Sequence, residues 1–214
     1  MLTRRVTTLL ATTSTAAVLA VGGSAIASNG VDDAPVASPS PLAMTPVIGA
    51  IEPAQAAAFQ VMRRPQRPSD AMPADIAAAM AGPSRFGRNA GLSRAIRTPT
   101  GKGWVVPGRG VICLVVPDAA GVYGTTCQTT AAAAEDGVTL QQVGSDESSS
   151  STLLPDGGTL VVTQDDASTD VVQPDASGVA SADTTDAERV TVVSEDGRST
   201  TPVPEPDGTV APTG

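Results

Sequence analysis

The chain has no histidine, one lysine, two cysteines and four aromatic side chains in 214 residues. Each shortage excludes a class of chemistry. Without histidine there is no Ser-His-Asp triad, no Cys-His nucleophile pair and no His-ligated zinc site. Two thiols cannot build a four-thiolate metal centre within one chain. Aromatics at 2% leave almost no stacking surface for single-stranded nucleic acid, so no nucleic-acid partner is expected. The lone lysine, Lys102, stands between Gly101 and Gly103 with no Ser-x-x-Lys spacing, which removes the Ser-Lys scheme. The same stretch lacks the upstream glycine and following Ser/Thr of a phosphate-cradling loop. No Gly-x-Ser-x-Gly elbow occurs either.

Apolar residues make up 41% of the chain, but 34 of them are alanine. Alanine buries little area, so the core is lean. The net charge of -9 is a sum of three unlike blocks. Residues 1–62 carry two cations against three acids (-1). Residues 63–109 carry nine against two (+7), and residues 110–214 carry two against seventeen (-15). Asymmetry of this kind marks a basic patch for an anionic surface, two blocks that face each other within the molecule, or two blocks that are simply solvated.

Met1 to Ala27 has the parts of a secretory signal peptide. Arg4 and Arg5 form the charged start, Val6 to Ala20 an uncharged stretch, and Ala25-Ile26-Ala27 the small-residue cleavage site, so cleavage between Ala27 and Ser28 is predicted. The competing reading is a retained membrane anchor through residues 6–27. No charge falls between Val6 and Val31, which is long enough to span a bilayer. Against it, nine of the 22 residues from Val6 to Ala27 are Thr, Ser or Gly, which weakens insertion.

Residues 28–46 read as a Ser/Pro/Ala-rich disordered linker. Pro53 opens a helix expected to run to Arg64, and Pro65 stops it. Pro73 opens a second, with Asp75 in its first turn, and a third is expected from Asn89 to Arg97 around Leu92 and Ile96. Trp104 to Val106 and Val111 to Val116 are β-branched runs split by Pro107-Gly108-Arg109-Gly110, the mark of a hairpin. Further strands are expected at Val138 to Val143, Thr159 to Thr163 and Arg189 to Ser194, the last returning through Glu195-Asp196-Gly197 to Arg198–Val203. Pro-Asp turn dipeptides recur at Pro117, Pro155, Pro174 and Pro206, where the aspartate can bond the backbone beyond it. Residues 145–152 and 165–170 read as polar inserts, the serine run Ser148 to Ser151 as a flexible loop, and 205–214 as a disordered tail. A single Trp beside Val-Val reads as core.

Cys113 lies in the most apolar strand, and Cys127 follows a Gly-rich loop. In an exported chain two cysteines closing a 15-residue segment form a structural disulfide, since redox pairs normally sit two residues apart. Asp166, Ser168 and Asp170 have the spacing of a calcium loop's start, but the sixth position is Val171 and the twelfth Ser177, so no metal is assigned. The Asp-Gly pairs follow turn chemistry rather than aspartic-protease elbows.

Several of these stretches occur together in a known order. Phe59-Gln60-Val61-Met62-Arg63-Arg64-Pro65-Gln66, Asp75, Leu92-Ser93-Arg94, Trp104-Val105-Val106-Pro107-Gly108, Ile112-Cys113-Leu114, a second cysteine after a Gly/Thr loop, and the Val190–Val203 strand pair follow one another. The series resembles a group of exported proteins of high-GC actinobacteria. The likeness runs from Phe59 to Val203 and implies export and the disulfide. It brings no activity, cofactor or catalytic residue.

The expected fold is α+β: short Ala/Arg-rich helices in 53–97 packed on a small antiparallel β domain from about 103 to 204, in one domain over 47–204. The expected function is a non-catalytic interaction or structural module of the cell envelope, without cofactor, whose partner is an envelope protein or an anionic surface. The alternatives are a secreted hydrolase with an Asp/Glu pair assembled in three dimensions, and a membrane-anchored extracytoplasmic sensor.

Overall fold

Helix and strand starts follow the local chemistry closely. In the computed structural model, which describes residues 48–81, 86–144, 147–195 and 197–204, Pro53 opens α1 (Pro53–Ala58) and Pro73 caps α3 (Ala74–Met80). The helix expected to run through to Arg64 is instead broken at Phe59, which is extended, and resumes as α2 (Gln60–Arg63). The break lets Phe59 turn inward, where it is fully buried. Arg63 donates from Nη1 to the free carbonyls of Ala56 and Ala57 at α1's end, and so satisfies acceptors that a short helix leaves open. α1 and α3 are alanine-rich, and apart from Arg63 the described arginines of this region lie outside the helices. The signal segment, its cleavage site, the linker and the 205–214 tail lie outside the described residues.

The third expected helix is overturned. Only Ala90–Leu92 makes a 3-10 turn, capped by Asn89 Oδ1 accepting from Gly91 N–H, and the chain then enters strand β1 (Arg94–Thr98). Its Leu92/Ile96 spacing fits a helix, but β2 (Gly101–Gly108) presents a long unpaired edge that β1 covers residue for residue, Arg94 opposite Val105 and Thr98 opposite Gly101. The predicted hairpin continues the sheet: β2 pairs with β3 (Val111–Pro117), and β3 with β4 (Tyr123–Thr129). Gly103 marks the tight point. A Cβ there would stand 2.5 Å from the Val115 carbonyl oxygen, so Gly103→Ala is expected to lower the melting temperature by several degrees in a calorimetric scan.

After α4 (Thr130–Asp136), whose N-terminus is capped by the Thr129 hydroxyl, the chain forms two further antiparallel sheets. One has the order β5-β6-β9, with β5 (Val138–Val143), β6 (Ser148–Leu153) and β9 (Val179–Asp183). The other has the order β11-β10-β7-β8, with β7 (Thr159–Gln164), β8 (Thr169–Val172), β10 (Ala187–Ser194) and β11 (Gly197–Pro202). Residues 148–152 of the first polar insert are therefore strand, while the second is the turn from β7 into β8, with only Thr169 and Asp170 in the strand. The serines of β6 are not a loop: β6 is the central strand of its sheet, and Ser150 is fully buried.

The reason is visible in the packing. The three-stranded sheet supplies both cores: Val138, Leu153 and Val179 join Val105, Ile112 and Leu114 of the first sheet, and Ala180 and Ala182 join Leu160, Val162, Val190 and Val192 of the third. The serines of β6 lie within this packing, Ser148, Ser150 and Ser151 buried and Ser149 half-buried, and their small side chains fit the space it leaves. Ser150 Oγ is buried without a hydrogen-bond partner among the described residues. Ser150→Ala is accordingly expected to stabilise by up to about 1 kcal/mol, because an unmet buried hydroxyl is removed. A lower urea midpoint for this variant would contradict that packing.

The molecule is thus mostly antiparallel β with a few short helices, and its described residues lie in one compact unit, Leu42–Gly214. Trp104 is core, as expected, under Met72, Ile76 and Met80. No described helix is long and apolar enough to cross a membrane.

Candidate functional site

The two cysteines stand directly opposite each other, Cys113 on β3 and Cys127 on β4, and are joined by a disulfide with Cα atoms 4.0 Å apart. Cys113 is fully buried against Trp104, Met80 and Val115, while Cys127 is exposed.

The numerous acids have specific local duties. Asp118 Oδ1 accepts from Ala120 N–H and Val122 N–H, at 2.9 and 2.8 Å. Asp175 Oδ1 accepts from Ser177 N–H and Val179 N–H. Asp156 Oδ1 caps α2 by accepting from Gln60 N–H, and its Oδ2 pairs with Arg63 at 2.5 Å. All three follow a proline; Asp118 and Asp175 spend the carboxylate on the backbone just beyond, as expected of such turns, whereas Asp156 spends it on Gln60 and Arg63, far earlier in the chain. The Arg63–Asp156 pair also ties the basic segment to the acidic half. Both side chains are exposed, so it contributes little stability by itself.

Two open grooves cross the surface. The first, of about 670 Å³, is floored by Val162, Val172 and Ala182. Asp165, Asp166, Asp170, Asp183 and Asp186 surround it, which brings together the calcium-like trio Asp166, Ser168 and Asp170. The trio does not wrap a cation: Asp166 Oδ1 takes Ser168 N–H at 2.8 Å, Asp170 Oδ2 takes Gln164 Nε2 at 3.3 Å, and Val171 lies in β8 instead of turning a loop. Among the described residues no three acids or cysteines are placed to hold a metal. The Ser168 hydroxyl and N–H hold the Asp166 carboxyl below its ordinary range, and Thr185 does the same for Asp183 through its hydroxyl and N–H. Carboxylates stabilised as anions in this way are poor proton donors near neutral pH.

The second groove, of about 800 Å³, lies at the tips of several hairpins, with Asp118, Glu147, Ser149 and Asp183 among its walls. The register sets Ser149 between Gln142 and Asp183, but Asp183 spends Oδ1 on Thr185 N–H and hydroxyl, at 2.9 and 2.7 Å, and Asp118 is spent on its turn.

Among the described residues, the one deeply buried carboxylate lies outside both grooves. Asp70, 1% exposed, takes two hydrogen bonds from Arg64 at 2.7 and 2.6 Å, and further ones from Arg67 N–H and Ala95 N–H. Its own carbonyl accepts from Trp104 Nε1 and Ser93 Oγ. Burial pushes the Asp70 carboxyl up, but the Arg64 hydrogen bonds, the two N–H groups and the Arg64 charge outweigh it and hold it far below the usual range. Arg94 lies beside them, buried, with Nε donating to the Arg64 carbonyl and Nη1 to Leu92 and Ser93. Burial lowers its pKa first, with Asp70 opposing. Gln55 has a comparable duty, donating from Nε2 to the Gly108 and Val111 carbonyls of the β2–β3 turn. Sequence reading did not single out Asp70 or Gln55, and placed Asp156 only as a turn residue. The only signal was Asp70 itself, an acid in a basic stretch.

No protein-family model, curated protein or solved structure matches the chain.

Proposed function

We propose that this chain is an exported, disulfide-stapled interaction module of the cell envelope, with no catalytic role. The observation that carries the reading is the Cys113–Cys127 disulfide across paired strands, a bond that persists in oxidising compartments. The export-type N-terminus and the resemblance to exported actinobacterial proteins support the same location. The non-catalytic part is supported by the way the acids are used. Asp118, Asp156, Asp175 and Asp183 are committed to turns and caps, and buried Asp70 is committed to Arg64.

Intact mass of the protein from the native envelope fraction tests location and processing together. The expected mass starts at Ser28 and lacks two hydrogens. A mass starting at Met1 would instead favour an anchored sensor, and two free thiols would remove the main support for export. Pull-down of the oxidised protein from envelope extract is expected to recover a partner at physiological salt. Recovering none would overturn the module reading.

A further inference from the structure

The outer face of the first sheet is only partly covered. Met72, Ile76 and Met80 lie over Trp104, Val106 and Val115. One row further on, Arg97 stands opposite Lys102 and Pro117 opposite Tyr123. Each is two residues from a member of the Ala95, Trp104, Val115, Thr125 row, so all four share that face. Arg97 and Lys102 are exposed, Tyr123 is 37% exposed and Val122, in the turn before it, is 64% exposed. Lys102 Nζ lies 5.1 Å from the Trp104 ring centroid, and the Tyr123 ring 5.7 Å from it. The row therefore runs about 14 Å across four strands, with two cations at one end and the Tyr123 ring at the other, next to the turn that carries exposed Val122.

Like charges directly opposite on a sheet repel, and no carboxylate among the described residues pairs with them. Among the described residues Arg97 makes no ion pair, and Lys102 reaches only the Ala71 carbonyl, at 3.5 Å, besides the indole. In a chain of net charge -9, an uncompensated exposed cation pair is suited to an anionic partner.

We propose that this row is a docking shelf for an acidic segment of a partner protein, its carboxylates meeting Arg97 and Lys102 and an adjoining apolar side chain meeting Val122 and Tyr123. The inference rests on the interaction-module reading and names its surface. The apolar end decides between occupants, since a phosphate polymer has nothing to place on Val122 and Tyr123. A second copy is disfavoured by repulsion between two chains of -9.

The test uses the purified oxidised protein and three probes: a random glutamate–tyrosine copolymer, polyglutamate and polyphosphate. The copolymer is expected to bind tightest. Lys102→Glu is expected to weaken it about tenfold, the loss typical of a central interface residue. The same variant sets opposite charges across the strands and is expected to melt higher than the wild type. Weaker binding by a more stable protein is a result that a merely structural lysine would not produce. Tyr123→Ala, measured well below its melting temperature, is expected to abolish the preference for copolymer over polyglutamate.

Absence of copolymer binding, unchanged affinity in Lys102→Glu, or tightest binding of polyphosphate regardless of Tyr123 would each overturn the shelf. If Lys102→Glu captures the same envelope partner as the wild type, the module reading stands and the shelf falls. If neither captures a partner while copolymer binding still depends on Lys102, the shelf stands and the envelope reading falls.

Discussion

Asp70→Ala is expected to cost about 3–5 kcal/mol, the range for leaving one partner of a buried ion pair uncompensated. That is a large share of the total stability of a domain this size. The loss has three parts. Arg64 loses both carboxylate oxygens, Arg67 N–H and Ala95 N–H lose their acceptor, and Arg94 loses the negative charge that favours its ionised form. Asp70→Asn keeps an acceptor for the backbone and should fall between the two. Urea unfolding at pH 7 ranks the three proteins, and a loss under about 1 kcal/mol in Asp70→Ala would show that the network is only decorative.

The same pair predicts acid sensitivity. The folded-state carboxyl of Asp70 titrates far below its ordinary value of 3.8, so the folded protein holds fewer protons than the unfolded chain as the pH falls. Its contribution is therefore complete above that ordinary value and is lost progressively below it. Urea midpoints measured from pH 7 down to pH 3 should fall less steeply for Asp70→Asn than for the wild type, because the variant has no carboxyl to protonate there.

The second large effect is at the disulfide. Reduction, or Cys127→Ala, is expected to cost about 3 kcal/mol by the loop-entropy model, equivalent to a fall of about 6–12 °C in melting temperature. β4 remains paired with β3 along seven positions, Val111 opposite Thr129 to Pro117 opposite Tyr123. The loss therefore acts mainly by freeing the unfolded chain. Cys113→Ala is expected to cost more than Cys127→Ala, because it also opens space beneath Trp104 and Met80. Equal melting temperatures for the two variants would show that the buried sulfur adds nothing beyond the cross-link.

Much of the candidate surface was hidden in the sequence because charge counts carry no direction. The +7 segment suggested a basic patch, but Arg64 and Arg94 turn inward to Asp70 and backbone carbonyls, and Arg63 is held by Asp156. What remains exposed on the first sheet, Arg97 and Lys102, becomes a pair only through the β1–β2 register. Parts of the -15 half are explained locally by contrast, since Asp118 and Asp175 are spent on their own turns, as Pro-Asp dipeptides favour.

The sequence alone determined the features that depend on near neighbours. These are helix starts at Pro53 and Pro73, the β2–β3 and β10–β11 hairpins, the burial of Trp104, and a disulfide for which only two cysteines existed. Tertiary structure alone decided the rest. Residues 94–98 became a strand because β2 offered an open edge. The serines of β6 became the centre of a sheet because β5 and β9 pair along both of its edges and the surrounding core covers it. Asp70 became buried because Arg64, Ala95 and Trp104, as far as 34 residues away in sequence, converge on it. Hydrogen-bond partners and packing space at that separation are set by the fold and have no local signature.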